Sequence, residues 1–162
     1  KKATQMNSKD ITSFLNLGIA NAKFNDHYSA ISNFNKILAI DPKDSLVFLS
    51  RGFSKNQIGD NKGALIDYNK VIEIDPKNDL AFFNRARLKL DNKDYYGAIS
   101  DYNKAIQINS NYYQAYVNRG IAKQKIGDEK GGCEDYKKAS ALGDYSISEW
   151  LNSKTGKWCL NN

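Results

Sequence analysis

The residues that could do chemistry in this chain recur at a fixed spacing instead of clustering in one motif. One series of positions, spaced 34 residues apart, holds only small polar side chains: Asn16, Ser50, Asn84 and Asn118. Side-chain amides both donate and accept hydrogen bonds, so a row of them can hold the backbone of an extended peptide whatever its side chains are. The alternative interpretation is that these residues are simply polar positions on a solvent-exposed face.

Arginine and aspartate form a second pair of series with the same spacing. The arginines are Arg51, Arg85 and Arg119, and the aspartates sixteen residues later are Asp67, Asp101 and Asp135. In the remaining member of each series, Leu17 replaces the arginine and Asn33 replaces the aspartate. This correlation predicts a repeated, partly buried ion pair with hydrogen bonds. We therefore expect these arginines to be structural and not ligand-binding.

No arrangement typical of an enzyme accompanies these series. The sequence has no phosphate-binding loop, no metal-ligand spacing and no plausible Ser/His/Asp arrangement, so it predicts neither catalysis nor a cofactor. The single histidine, His27, follows Asp26 in a predicted turn, where we expect it to be exposed. Cys133 and Cys159 are too few for a zinc site, and a disulfide framework is not expected. Whether the two cysteines pair is left open, although the apolar cluster around Cys159 should fold back close to Cys133.

Composition and charge are those of a soluble, folded protein. Hydrophobic residues make up 41% of the 162 residues and charged residues 26%, with a net charge of +6 and a pI of about 9.2. Such a charge is compatible with acidic partners but also with ordinary solubility. No apolar run approaches the roughly 18 residues of a spanning helix, and the first residues lack the core of a signal peptide. An intracellular location is therefore favoured over export with a removed signal.

The entire sequence repeats at the 34-residue spacing, and its capping residues predict two helices in each unit. Residues at one position of each unit, most of them good N-caps, predict where the first helices begin. These starts are Ile11, Ser45, Asp79 and Tyr113, with a fifth at Ile147. A second set of caps predicts a second helix in each unit: Asp26, Asp60, Asp94 and Asp128. Since one helix pair cannot bury its apolar faces alone, we expect the units to stack.

The spacing of aromatic, small and proline residues closely resembles the tetratricopeptide repeat; in one unit they are Phe48, Gly52, Ala64, Tyr68 and Pro76. The resemblance implies an all-α, right-handed α-solenoid of helix-turn-helix repeats, whose first helices line a concave groove. It divides the chain into an N-terminal tail at 1–10, repeats at 11–44, 45–78, 79–112 and 113–146, and a capping helix with C-terminal tail at 147–162.

The resemblance also implies that the chain is a non-catalytic scaffold for protein–protein interaction, with an extended peptide or a helix of the partner in the groove. The groove residues it implies are Leu15, Asn16, Ile19, Leu49, Ser50, Phe53, Phe83, Asn84, Arg87, Val117, Asn118 and Ile121. Binding of single-stranded RNA or another acidic ligand is the alternative, although few cations lie at these positions, and self-association is left open.

One subgroup of this family holds a chaperone's C-terminal carboxylate with Lys, Asn, Asn, Lys and Arg. The matching positions here are Leu15, Ile19, Ser50, Leu80 and Asn84, or, one repeat later, Leu49, Phe53, Asn84, Gln114 and Asn118. Neither set has the required cations, so such a chaperone tail is not expected to be the partner.

Overall fold

The computed structural model describes residues 8–160, of which Ser8 and Lys9 are described by their backbone alone. Every regular element in that range is a helix, which confirms the all-α prediction. The helices are α1 Ser8–Lys23, α2 His27–Leu38, α3 Ser45–Gln57, α4 Asn61–Ile74, α5 Asp79–Asp91, α6 Tyr95–Ile108, α7 Tyr113–Lys125, α8 Glu129–Ala141, α9 Tyr145–Asn152 and α10 Lys157–Leu160. The first eight form four pairs that fit the four predicted repeats. Most of the predicted tail at 1–10 lies outside the described residues.

Acidic and amide side chains begin most of these helices, as predicted. Asp44 Oδ1 accepts a hydrogen bond from the Val47 amide at 3.0 Å, and Asn78 Oδ1 accepts one from the Ala81 amide at the same distance. Each second helix is capped in the same way by Asp26, Asp60, Asp94 or Asp128. These bonds satisfy amides that a helix leaves without an internal partner.

Two predicted helix starts are wrong by a few residues. α1 begins at Ser8 and not at Ile11, so Asp10 lies inside its first turn and is not its N-cap; Lys9, just before it, is a good helix former. α9 begins at Tyr145, with Asp144 and not Ser146 as its N-cap. Gly143 ends the preceding turn with a φ of 100°, which places Asp144 at the first position able to cap the next helix.

The turn within each pair contains one residue in the left-handed conformation. Asn25, Gly59 and Gly127 adopt it with φ of 61°, 82° and 84°, as their residue types predict. Lys93 adopts it as well, with φ 63°, although lysine rarely does. The packing of the helix pair therefore determines the turn, even where the sequence does not favour it.

The chain divides into two compact units: unit 1 ends at Pro76, and unit 2 begins at Lys77. In unit 1 the core combines α1–α4 and is aromatic and aliphatic. Phe34 and Tyr68 are buried at its centre, each against a glycine of the paired helix. A Cβ added to Gly52 would lie 2.8 Å from Tyr68 Cε1, so the small residue is what allows α3 and α4 to approach.

Unit 2 repeats this packing in α5–α8 and adds a C-terminal layer. Leu151 of α9 is buried, and the ring of Trp150 packs edge-on against Tyr136 with centroids 5.2 Å apart. This confirms the prediction that Trp150 and Leu151 cover the fourth helix pair. Helix α10 folds back so that Cys159 joins the same core cluster as Cys133.

Cys133 and Cys159 form a disulfide, which corrects the expectation that no disulfide framework is present. Their Cα atoms lie 5.2 Å apart although the residues are 26 apart in sequence. The sequence could indicate that the two segments approach but not that the sulfurs face each other. Within residues 8–160, no helix is both long and apolar enough to cross a membrane.

Candidate functional site

The predicted groove residues all lie on the first helices of the pairs, and in unit 2 four of them meet. Phe83 and Arg87 on α5 and Val117 and Asn118 on α7 line an open hollow of about 350 Å³. Two further residues complete its lining, Gln114 and Asp144. We call this hollow the unit 2 pocket.

The apolar part of this pocket consists of Phe83 and Val117. Phe83 is only 9% exposed, because its ring packs on the rings of Tyr112 and Tyr102, with centroids 4.7 and 5.8 Å away. A partner can therefore reach little of the ring, which serves as a floor for the pocket. Val117 is half-buried and rests on the cluster that contains Cys133 and Leu151.

The polar part of the pocket is unused by the fold. Within the described part of the chain, the side chains of Arg87, Gln114 and Asn118 form no internal hydrogen bond or ion pair, and Arg87 is exposed. Asp144 is partly engaged, since its Oδ1 accepts from the Ile147 amide at 3.0 Å. The pocket thus offers one cation, two free amides and a carboxylate beside an apolar floor.

The tyrosines beneath the floor are neutral over the physiological range. Burial raises the pKa of Tyr112 to about 12, with a further contribution from the Asp79 carboxylate that the Arg87 guanidinium opposes. Burial also raises the pKa of Tyr102 well above its usual value. Its hydroxyl is buried without a hydrogen-bond partner in the described structure. Neither tyrosine is therefore an anion that competes with a ligand for Arg87.

The corresponding face of unit 1 is apolar. Leu46 and Phe53 on α3 are 54% and 42% exposed, and Ile19 on α1 is exposed as well. Ser50 does not supply a free group, because its hydroxyl donates to the Leu46 carbonyl at 2.9 Å. Leu15 packs against the core and Leu49 is half-buried. Of the polar positions predicted in this unit, only Asn16 is exposed and without an internal hydrogen bond among the described residues.

His27 is not exposed, which corrects the prediction made from its place beside a turn. It is the first residue of α2 and only 8% exposed, with its ring edge-on to Phe53 at a centroid distance of 6.2 Å. Its Nδ1 has no hydrogen-bond partner in the described structure. The sequence could not show this contact, because Phe53 belongs to the next helix pair.

The remaining residues of the predicted set lie beside these surfaces. Asn84 is half-buried on α5, and its amide forms no internal hydrogen bond in the described chain; Ile121 is half-buried on α7 against the same cluster as Val117. The predicted groove set did not include Leu46, Gln114 and Asp144, although Gln114 had been named as a position that matches the carboxylate-holding subgroup. The first two could have been found, since they stand one helical turn before Ser50 and Asn118 and so share their face.

The arginine series is structural, as predicted. Arg51 Nε and Nη2 donate to Asp67 at 2.8 and 2.7 Å, and Asp67 is fully buried. Two contacts were not predicted: Lys55 Nζ also reaches Asp67, at 2.9 Å, and Arg51 Nη1 donates to Asn35 Oδ1 of the preceding pair at 2.6 Å. Unit 2 repeats the triad as Arg85, Asp101 and Lys89, and as Arg119, Asp135 and Lys123. These cations are engaged within the fold and are not part of the candidate site.

Within residues 8–160, no group of three or more histidine, cysteine, aspartate and glutamate side chains is arranged to hold a metal ion.

Comparison with known proteins identifies the repeat. Two models of the tetratricopeptide repeat match residues 47–78 and 67–100. No curated protein matches the sequence significantly.

Three solved structures illustrate the similarity of this chain to known proteins. A crystal structure of MamA protein shares 20% identity, with a TM-score of 0.79 over 96% of this chain and 88% of that one. A tetratricopeptide repeat protein from Parabacteroides merdae shares 18% identity, with a TM-score of 0.78 over 95% of this chain and 65% of that one. The first tetratricopeptide domain of Spaghetti (RPAP3), bound to the HSP90 peptide SRMEEVD, shares 26% identity, with a TM-score of 0.64 over 73% of this chain and 94% of that one.

Because the first two structures are only 20% and 18% identical to this chain, they establish its fold and nothing about its function. That fold is the one that the repeat pattern predicts. Together with the matched repeats and the helix pairs, these structures show that this chain contains tetratricopeptide repeats and has the fold of such an array.

Proposed function

We propose that this chain binds an extended segment of a partner protein along its first-helix faces, and that the unit 2 pocket anchors that segment. The observation that carries the proposal is that Arg87, Gln114 and Asn118 line one open hollow while having no hydrogen-bond or ion-pair partner within the described structure. Polar groups that a fold leaves without partners are available to a ligand.

The pocket fits a peptide better than it fits an apolar ligand. Each side-chain amide of Gln114 and Asn118 can donate to a peptide carbonyl and accept from a peptide N–H. The Arg87 guanidinium can donate to a further carbonyl or to an acidic side chain. Phe83 and Val117 give the aliphatic part of one side chain an apolar surface on which to lie. Most of the affinity would thus come from backbone recognition, with specificity from one or two side chains.

Unit 1 would contribute apolar contacts. The exposed side chains of Leu46 and Phe53 on α3, with Ile19 on α1, form a surface whose burial by a partner is favourable. Exposed apolar residues on one face often mark an interaction site. A segment that contacts this face of unit 1 would therefore carry apolar residues.

The comparisons support a binding function without naming the partner. The Spaghetti (RPAP3) domain was solved with an HSP90 peptide, so an array of the same repeat holds a peptide of another protein. The lysines that grip such a tail's carboxylate have no counterpart at the matching positions here, and a chaperone tail is not proposed. The proposal is non-catalytic and requires no cofactor.

A peptide-display selection against the purified chain, followed by fluorescence anisotropy with a selected peptide, tests the proposal. The variant with Asn84→Ala and Asn118→Ala should bind roughly 5- to 150-fold more weakly, because two hydrogen bonds of about 0.5–1.5 kcal/mol each are lost. Lys104→Ala, an exposed change on the second helix α6, is the matched control and should bind normally. Equal affinity of the double variant and the wild type would refute the first-helix site.

Binding of single-stranded RNA remains the alternative, favoured by the net charge of +6. Against it, the aromatic rings near the pocket are buried at Phe83 and Tyr102, whereas bases need exposed rings on which to stack. Anisotropy with a labelled oligouridylate distinguishes the two proposals. Tight binding that weakens steeply with added salt would favour RNA, and no binding at moderate salt would exclude it.

A further inference from the structure

One residue at the edge of the unit 2 pocket stands at the start of the C-terminal helices, and the disulfide ties these helices to the rest of the unit. Asp144 lines the pocket and is also the N-cap of α9. Val117, on the pocket's apolar side, packs against the core cluster of Cys133, Tyr136, Leu151 and Cys159. The pocket and the disulfide therefore share one layer of side chains.

Helix α9 packs on α8 through a short run of side chains, from Ile147 to Leu151. Ser148 and Ser140 form a hydroxyl–hydroxyl bond of 2.7 Å, Trp150 packs edge-on against Tyr136, and Leu151 is buried. α9 has only eight residues, and a helix of that length is not stable in water without tertiary contacts. Its position, and with it that of Asp144, thus depends on what holds it against α8.

Helix α10 helps to keep α9 against α8. It comprises only four residues, and Cys159 is its single buried side chain. The disulfide ties Cys159 to Cys133 in the middle of α8, so the chain from α8 through α9 is closed into a loop. Without the bond, α10 would keep only its non-covalent contacts, and the covalent closure on the far side of α9 would be lost.

We propose that the Cys133–Cys159 disulfide is a positioning element of the unit 2 pocket, so that its reduction weakens ligand binding there. This rests on the proposed function of the pocket. In the reduction, an external dithiol gives two electrons and two protons to the disulfide, which becomes two cysteine thiols, while the dithiol becomes a disulfide. Released α10 lets α9 move, which displaces Asp144 and removes the support beneath Val117.

If the disulfide positions the pocket, ligand binding and disulfide reduction must be thermodynamically linked. If the disulfide strengthens ligand binding by a given factor, bound ligand must protect the disulfide from reduction by the same factor. A disulfide that only stabilises the fold, without affecting the pocket, would show neither effect.

The test compares the oxidised wild type, the dithiothreitol-reduced wild type and the double variant Cys133→Ala, Cys159→Ala, with a peptide selected on the oxidised protein. We expect the reduced protein and the variant to bind roughly 5- to 150-fold more weakly. Saturating peptide should raise the dithiothreitol concentration needed for half-reduction by the same factor. Equal affinity of the oxidised and reduced forms would overturn the inference but leave the proposed function intact.

If no peptide binds through Asn118, the proposed function of the pocket is refuted. The positioning role of the disulfide can then still be tested by amide hydrogen exchange of the protein without ligand. On reduction, exchange should accelerate at Ile147 and Trp150 of α9 and at Asn118, with Tyr68 of unit 1 as the unchanged reference. No change at Asn118 would overturn the positioning role. Loss of protection throughout α5–α8 would overturn it too, since the disulfide would then hold the whole unit and not the pocket wall.

Discussion

The guanidinium of Arg51 holds the buried carboxylate of Asp67 through two hydrogen bonds, with Nε 2.8 Å from Oδ2 and Nη2 2.7 Å from Oδ1. Lys55 approaches the same carboxylate at 2.9 Å. Two cations surround one fully buried anion, so removal of the anion would leave both positive charges uncompensated in a largely dry site. This triad recurs twice in unit 2, and the first helix pair has Leu17, Asn21 and Asn33 at the same three positions.

Asp67→Asn should lower the free energy of unfolding of unit 1 by about 3–5 kcal/mol, as expected when one partner of a buried ion pair is removed. Urea denaturation followed by circular dichroism measures it. The triple change Arg51→Leu, Lys55→Asn and Asp67→Asn, which copies the first pair, should cost less than the single change. The exposed pair Lys70–Glu73 is the control, and Glu73→Gln should cost under about 1 kcal/mol. A triple variant less stable than the single variant would contradict the argument.

Tyr102→Phe should raise stability by about 1 kcal/mol, because it removes a buried hydroxyl without a partner in the described structure. Tyr136, at the same position of the next helix pair, donates to Gln124 Oε1 at 2.7 Å. In the helix pair of Tyr102, the position that corresponds to Gln124 holds Leu90, which cannot accept a hydrogen bond. Tyr136→Phe should therefore lower stability by about 1 kcal/mol. Thermal unfolding of the two variants should shift in opposite directions, and equal shifts would mean that Tyr102 has a partner such as ordered water.

Unit 2 should lose stability as the pH rises from about 10 to about 12. Burial raises the pKa of Tyr112 and Tyr136 to about 12 in the folded chain, while an unfolded tyrosine ionises near 10. Between these values the unfolded state binds fewer protons, so stability is full below about pH 10 and falls above it. Denaturation at a series of pH values checks this. The variant Tyr112→Phe, Tyr136→Phe should show a shallower fall, and an unchanged slope would refute the assignment.

Phe53→Asp should weaken the binding of a peptide that contacts unit 1, with only a small loss of stability, since the ring is 42% exposed. Anisotropy gives the affinity, and a loss of roughly tenfold or more is expected from about 1.5–3 kcal/mol of lost apolar contact. Ile66→Asp is the matched control, because Ile66 is 63% exposed on the second helix α4. If both changes weaken binding equally, the effect reflects charge and not the α3 face.

Much of the fold could be predicted because the repeat provides several copies of each position. Gly52, Tyr68 and their counterparts recur at constant spacing, so local signals for helix, turn and cap reinforce one another. The correlated loss of arginine and aspartate at Leu17 and Asn33 even predicted a contact across sixteen residues. Errors occurred where the repetition ends, at the start of α1 and at α9, because no further copy constrains those boundaries.

The candidate site was predictable as a set of positions but not as a pocket. The sequence alone determined which residues lie on the first helices and that no enzyme motif accompanies them. Only the tertiary structure decided that Phe83 is a buried floor, that Ser50 is bonded to its own helix, and that His27 is covered by Phe53. The cases of Phe83 and His27 depend on distances between side chains of different helices, and that of Ser50 on the rotamer of its hydroxyl; residue spacing specifies neither.

The disulfide shows most clearly what the sequence determines and what depends on the tertiary structure. The sequence determined that the segment around Cys159 is apolar and should return to the fourth helix pair. Only the packing of α9 against α8 brings Cys159 to Cys133 and places Asp144 at the edge of the pocket. A covalent bond needs two atoms within bonding distance and correctly directed, and that condition is met only once the helices have packed.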